Sequence, residues 1–239
     1  MNKHESVSAK GELHSVDQVL FNDHASPMWE AAMRLHRTHV NSTTPHFGPL
    51  LYWWARAIGA CNVMEIGVAQ GYTSWFLAEA VKDNGVRYGF KGRYIAVDIG
   101  DKTSLFQPMI DDGLPVEVWT MDSKDIICAP SGGQGVIQPG TFDLIFQDGW
   151  HNTKFCLNEL KYIYPALKPK GDGYLVAHDV YSWCEEYYKI ILNDPQYKWE
   201  SIRLMNNYGL AIMRKMEGYD NNKIHWPQGD QPAEDGYVQ

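Results

Sequence analysis

Two short stretches of this chain concentrate side chains able to move protons and bind cations: Gln147-Asp148-Gly149-Trp150-His151 and Ala177-His178-Asp179. A histidine with its unperturbed pKa of ~6.5 exchanges a proton near neutral pH, which makes His151 the candidate general base. Asp148 and Asp179 offer hard carboxylate oxygens of the sort Mg²⁺ prefers. His178 could complete a ligand set, although an imidazole suits Mn²⁺, Fe²⁺ or Zn²⁺ better than Mg²⁺; taken singly, such a histidine is more often a hydrogen-bonded structural residue than a ligand. A hydroxyl is a poor nucleophile at neutral pH, so a base and a divalent cation at one place are suited to hydroxyl activation.

A second constellation lies upstream in Val63-Met64-Glu65-Ile66-Gly67-Val68-Ala69-Gln70-Gly71-Tyr72-Thr73-Ser74. An apolar strand runs into a turn with two glycines, and a helix follows. Gly67 and Gly71 let the backbone turn sharply and approach a ligand without a Cβ in the way. Dinucleotide sites use G-x-G-x-x-G, with a pyrophosphate at the helix N-terminus. The E-x-G-x-x-x-G pattern here lacks the first close glycine pair, which disfavours NAD and an oxidoreductase and favours a ligand without phosphate. The next apolar strand ends in Asp98, whose carboxylate can accept from both hydroxyls of a ribose. The third ends in Met121-Asp122-Ser123, where Asp122 can accept from an adenine amino group and Ser123 can order the turn.

These residues need a scaffold that gathers strand tips. Strand patterns at 62–66, 93–98, 116–121, 142–147 and 174–177 alternate with helical patterns at 71–81, 104–111, 154–167 and 184–192. Such alternation predicts βαβ units and a parallel sheet covered on both faces. Stretches 199–204 and 210–214, joined by Asn206-Asn207-Tyr208-Gly209, predict an antiparallel hairpin. Helices are expected over 27–39, started by Ser26-Pro27, and over 48–58, ended by Gly59. The fold class is α/β: a Rossmann-like, doubly wound, mostly parallel seven-stranded sheet with an antiparallel C-terminal hairpin and N-terminal helices. One domain spans 26–215, with the helices in 27–59 and the core in 60–215; a flexible leader (1–25) precedes it and a polar tail (216–239) follows. Residues 123–140, with Ser131-Gly132-Gly133-Gln134-Gly135, read as a mobile surface loop beside the site.

The ordered set of Glu65, Gly67, Gly71, Asp98 and Asp122 resembles the class I S-adenosylmethionine-dependent methyltransferases over roughly 45–214. The resemblance implies that the first turn holds the methionine end of that cofactor, Asp98 the ribose and Asp122 the adenine. Ser74, Ser123 and Asp148 are expected as further cofactor contacts. The D-G-x-H and H-D pairs resemble the metal-dependent O-methyltransferase branch that contains macrocin-type sugar O-methyltransferases and cephalosporin-hydroxylase-like proteins. That implies Asp148, His178 and Asp179 as ligands of a divalent metal, Mg²⁺ or else Mn²⁺, Fe²⁺ or Zn²⁺, with His151 as base. The chain departs from the branch at His178, where an acid often stands. The catechol-type branch carries a Lys in the place of His151. The expected reaction is methylation of a small-molecule hydroxyl, sugar or phenol-like, in an acceptor pocket walled by Trp150 and Trp183. N-methylation, non-methyl chemistry on the same scaffold, or a non-catalytic binding role are the alternatives.

Bulk properties fit this picture. The 239 residues suffice for one substantial core, and the net charge of −8 with no basic run argues against a nucleic-acid partner. No apolar run approaches the ~18 residues of a membrane span, and the N-terminus lacks the apolar stretch of a signal peptide, so a cytoplasmic protein acting on a small molecule is expected, with a homo-oligomer open. Cys61, Cys128, Cys156 and Cys184 show neither disulfide nor zinc spacing.

Overall fold

A computed structural model describes residues 47–131, 133–205 and 208–218. The expected leader, the helix at 27–39, and the tail beyond Gly218 lie outside the described residues.

The first described element, α1 (Phe47–Ala57), leads into β1 (Asn62–Ile66) and then α2 (Tyr72–Tyr88). The apolar pattern predicts the end of α2 at Val81, but the helix runs on to Tyr88 and stops at Gly89, which takes the left-handed C-cap conformation. The extension is polar in sequence yet partly buried. Asn84 is fully enclosed and its amide donates to the Ala55 and Ala60 carbonyls, tying α2 to the end of α1.

Next come β2 (Arg93–Asp98), α3 (Thr103–Asp111), β3 (Val116–Thr120) and a single 3-10 turn at Ser123–Asp125. The segment expected as a loop then forms a two-residue parallel pair, β4 (Ile127–Cys128) with β5 (Val136–Ile137). Ile126 and Ile137 anchor it in the core, so among its described residues this segment carries structure of its own. The chain continues through β6 (Leu144–Gln147), α4 (Thr153–Ala166), β7 (Tyr174–His178), α5 (Glu185–Asn193), β8 (Trp199–Leu204) and β9 (Leu210–Lys215).

Seven strands form one sheet in the order β3-β2-β1-β6-β7-β9-β8. The pairs β3/β2, β2/β1, β1/β6 and β6/β7 are parallel, and β9 pairs antiparallel with both β7 and β8. This is the doubly wound sheet with a C-terminal hairpin that the sequence predicts. The order reverses at β1, with β2 and β3 on one side and β6 and β7 on the other. That switch point puts the carboxyl ends of β1, β2, β3, β6 and β7 around one crevice.

Side-chain alternation fills two cores. Val63, Tyr94, Ala96, Leu144 and Phe146 pack with Leu51, Phe76, Leu77 and Phe106 under α1–α3. Met64, Ile66, Ile95, Val97 and Ile145 pack with Leu160, Ile163, Tyr187 and Ile191 under α4 and α5. Two polar residues interrupt the central strands near their carboxyl ends, Glu65 and Gln147, and both are buried.

Candidate active site

A cavity of about 540 Å³ opens at the carboxyl end of the sheet, lined by Gly67, Ala69, Asp98, Ile99, Met121, Asp122, Ser123, Asp148, Gly149, Trp150 and Phe155 among others. Five of the eight expected cofactor residues therefore share one wall: Gly67, Asp98, Asp122, Ser123 and Asp148. Its size suits a nucleoside-sized ligand, for which sites of ~300–1,000 Å³ are usual.

Glycine is required at position 67. Its φ is +86°, and a Cβ there would collide with the backbone carbonyl of Asp148. The β1 turn and the β6 tip thus meet backbone to backbone. Asp98 ties this turn to the next one: Oδ2 accepts from the Val68 N–H at 3.0 Å and Oδ1 from the Gly100 N–H at 2.8 Å. Lys102 spans the same gap by donating to the Ala69 carbonyl at 2.8 Å. Asp122 Oδ1 caps the 3-10 turn by accepting from the Lys124 N–H, and the Lys124 ammonium beside it holds its carboxyl below the usual range.

Glu65, Gly71 and Ser74 stand behind that wall rather than in it. Glu65 has no exposed surface; its carboxylate accepts from the hydroxyls of Thr73, Ser74 and Tyr94. Burial pushes its pKa up to about 7, although the three donors pull the other way. Glu65 and Ser74 thus bind each other and brace the turn from below. Gly71, at φ +75°, begins α2 without a side-chain cap, so the first N–H groups of that helix favour a carboxylate at the turn.

The metal-type residues converge. Asp148, His151, His178 and Asp179 place one potential ligand atom each within 4.8 Å of one another. His178 Nδ1 lies 2.9 Å from Asp148 Oδ1, and His151 Nε2 lies 3.3 Å from that same oxygen. His151 Nε2 also approaches Asp179 Oδ2 to 2.9 Å. That approach lacks hydrogen-bond alignment, and Asp179 Oδ2 and His178 Nε2 are buried without a hydrogen-bond partner among the described residues. Such unsatisfied buried atoms carry a desolvation cost that a bound group would relieve. Asp179 also has a left-handed backbone, φ +59°, which an L-residue seldom takes away from a functional constraint. The Asp179 carbonyl accepts from the N–H groups of Ser182 and Cys184, holding that bend.

The hydrogen bond to Asp148 and the Asp179 carboxylate beside it push the pKa of His151 up to about 10, which in this arrangement keeps its ring charged at neutral pH. Burial pushes Asp148 up, but the hydrogen bonds from His151 and His178 outweigh it and leave the carboxyl below the usual range. Burial pushes His178 down, but Asp148 holds it above its ordinary value.

The two expected acceptor-pocket tryptophans separate. Trp150 borders the 540 Å³ cavity. Trp183 stacks on the His151 ring, 5.6 Å between centroids at 11°, and both border a second cavity of about 650 Å³ with Asn152, Lys154, Asn158 and Lys161. Sequence reasoning missed the apolar groups Ile99, Met121 and Phe155, which can enclose a flat ring. The signal existed for Ile99, an isoleucine directly after the Asp98 strand end that stays 75% exposed.

Comparison with known proteins agrees with this geometry. A family model described as "Methyltransferase domain" matches residues 64–180, from β1 to just past β7. No curated protein matches the chain in sequence. Among solved structures, a methyltransferase from Geobacter sulfurreducens is 16% identical, covering 85% of this chain and 98% of its own at a TM-score of 0.57. An O-methyltransferase from Streptomyces achromogenes, involved in tomaymycin synthesis and solved with S-adenosylmethionine, is 18% identical over 83% of this chain and 95% of its own (TM-score 0.58). An O-methyltransferase from Bacillus cereus, solved with S-adenosylhomocysteine, is 18% identical over 84% of this chain and 96% of its own (TM-score 0.57). At these identities the structures establish a shared fold, and the family model matches a methyltransferase domain over the segment that builds the site.

Proposed function

We propose that the chain transfers the methyl group of S-adenosylmethionine to a hydroxyl of a small, sugar-like or phenol-like acceptor, with a divalent cation held by Asp148, His178 and Asp179. The observation that carries this reading is the double placement of Asp148. It belongs to the wall of the 540 Å³ cavity and also to the four-residue cluster. Cofactor space and acid–imidazole chemistry therefore adjoin at one carboxylate. The solved relatives named as O-methyltransferases support oxygen as the methyl acceptor.

The residues fit both groups. The Cβ-free turn at Gly67, the Asp98 rim and the apolar trio Ile99, Met121 and Phe155 suit a nucleoside without phosphate. For a cation, two carboxylates and two imidazoles lie within reach of each other, and Asp179 Oδ2 and His178 Nε2 are unsatisfied. This mixed donor set favours Mn²⁺, Fe²⁺ or Zn²⁺ over Mg²⁺.

When bound, S-adenosylmethionine supplies an electrophilic methyl group, and a divalent cation lowers the pKa of a coordinated hydroxyl. The chain's own groups do the rest. Asp98 accepts from ribose hydroxyls and Asp122 from the adenine amino group. Asp148 and Asp179 would hold the cation together with His178, and His151 beside them is placed to take the acceptor's proton. Trp183, stacked on His151, fixes the plane of that ring.

Metal dependence is the test. After complete chelation, methyl transfer from labelled S-adenosylmethionine to a panel of hydroxylated sugars and phenols should fall to background and return with Mn²⁺, Zn²⁺ or Mg²⁺. Undiminished transfer after chelation would remove the cation from the mechanism.

A further inference from the structure

Glu159, on the inner side of α4, is a fully enclosed acid that no step of the proposed reaction uses. One carboxylate oxygen, Oε1, accepts from the Ser123 hydroxyl, and the other, Oε2, accepts from the Gln147 side-chain amide at 2.7 Å. Gln147 is fixed at its far end by the Tyr187 hydroxyl, which donates to Gln147 Oε1 at 2.8 Å. Ser123 lines the cofactor cavity on the β3 side, and Gln147 is the last residue of β6, immediately before Asp148. In the sheet, β3 and β6 are separated by β2 and β1, so no backbone ladder joins their tips. The carboxylate bridges them. It also lies behind Gly149 in the cavity wall, with Oε1 3.6 Å from the position a Cβ would take there.

We infer that Glu159 is a positioning residue for the cofactor: it locks the turn at Ser123 to the tip of β6, so that the two sides of the cavity keep a fixed separation before the ligand arrives. The inference rests on this cavity being the S-adenosylmethionine site. The physical warrant is the cost of the arrangement. Burial raises the pKa of Glu159 despite its two donors, so the carboxylate is kept in place against a desolvation cost that only its hydrogen bonds to Ser123 and Gln147 offset. What an apolar residue cannot do is hold Ser123 and Gln147 at once. Preorganisation of this kind acts on affinity by removing the ordering cost of binding.

The test is calorimetry with S-adenosylmethionine on wild type, Glu159→Leu, Glu159→Gln and Gln147→Met, with a melting temperature for each. Glu159→Leu should weaken binding about tenfold or more and, by leaving the buried Gln147 amide without its acceptor, lower the melting temperature, whereas the conservative Glu159→Gln should restore both; a tenfold loss corresponds to ~1.4 kcal/mol, the scale of one such hydrogen bond. Glu159→Gln, which can still bridge after the Ser123 hydroxyl reorients, should stay within about threefold of wild type. If Glu159→Leu does not fold, Gln147→Met removes the other anchor without touching the cavity and should show the same tenfold weakening. A folded Glu159→Leu, or failing that a folded Gln147→Met, with wild-type affinity overturns the inference and leaves the cofactor reading standing. A wild-type protein that does not bind S-adenosylmethionine overturns the cofactor reading first and the inference with it.

Discussion

Glu65 sets up a pH experiment whose sign and size come from its surroundings. Enclosed under the β1 turn, its carboxyl is pushed from an ordinary 4.5 up to about 7. A raised carboxyl pKa means that the folded state favours the protonated acid. The stability it contributes is therefore complete below pH 4.5 and is lost as pH climbs through 7. The shift of about 2.5 units, at ~1.36 kcal/mol each, corresponds to roughly 3 kcal/mol. Glu65→Gln keeps the shape and two-sided hydrogen bonding of the neutral acid but cannot ionise. Relative to wild type it should thus gain up to about 3 kcal/mol between pH 4.5 and pH 8. For a domain of this size that is roughly 6–12 °C in melting temperature. Glu79, also pushed up to about 7 by burial, is present in both proteins and cancels in the difference. Thermal unfolding of both, read at half-unit steps of pH, supplies the comparison. Parallel profiles across that window would show that Glu65 is not held as described and would refute the reasoning.

Other perturbations separate the parts of the site. Gly67→Ala would drive a methyl group into the Asp148 carbonyl at a positive φ; a destabilisation of at least ~2 kcal/mol by urea unfolding, with loss of cofactor binding, is expected. Asp98→Ala removes the acceptor that joins two turns at the cavity rim and that the proposed reading assigns to the ribose, so the Kd for S-adenosylmethionine should rise about tenfold to a hundredfold by calorimetry. Asp179→Asn keeps the volume but removes the buried charge; Mn²⁺ affinity, followed by paramagnetic relaxation of water, should fall at least tenfold while the cofactor Kd stays unchanged.

Much of the frame was legible because it rests on local pattern. β1 and β2 occupy the residues expected of them, Asn62–Ile66 and Arg93–Asp98, since each is a short apolar run ending at a turn or an acid. The gathering of Asp98, Asp122 and Asp148 at one cavity followed from topology, because strand tips of a doubly wound sheet meet at its switch point. What stayed hidden depends on partners far along the chain. The full enclosure of Glu65 depends on Tyr94, 29 residues on, which donates to it. Glu159 reads as an ordinary polar position of an amphipathic helix until α4 turns it onto Ser123 and Gln147. Helix α2 outruns its apolar pattern because Asn84 is buried through hydrogen bonds rather than hydrophobicity. The intrinsic pKa of His151 is shifted upward by two carboxylates, one of them 28 residues away and so invisible in its local sequence.

The central claim is that the cavity bordered by Gly67, Asp98, Asp122 and Asp148 is a site for S-adenosylmethionine. Titration calorimetry of the full chain with S-adenosylmethionine, S-adenosylhomocysteine and NAD addresses it directly. Saturable one-to-one binding of the two sulfur nucleosides and none of NAD is the predicted result. Failure to bind either sulfur nucleoside, or binding of NAD in their place, would contradict it.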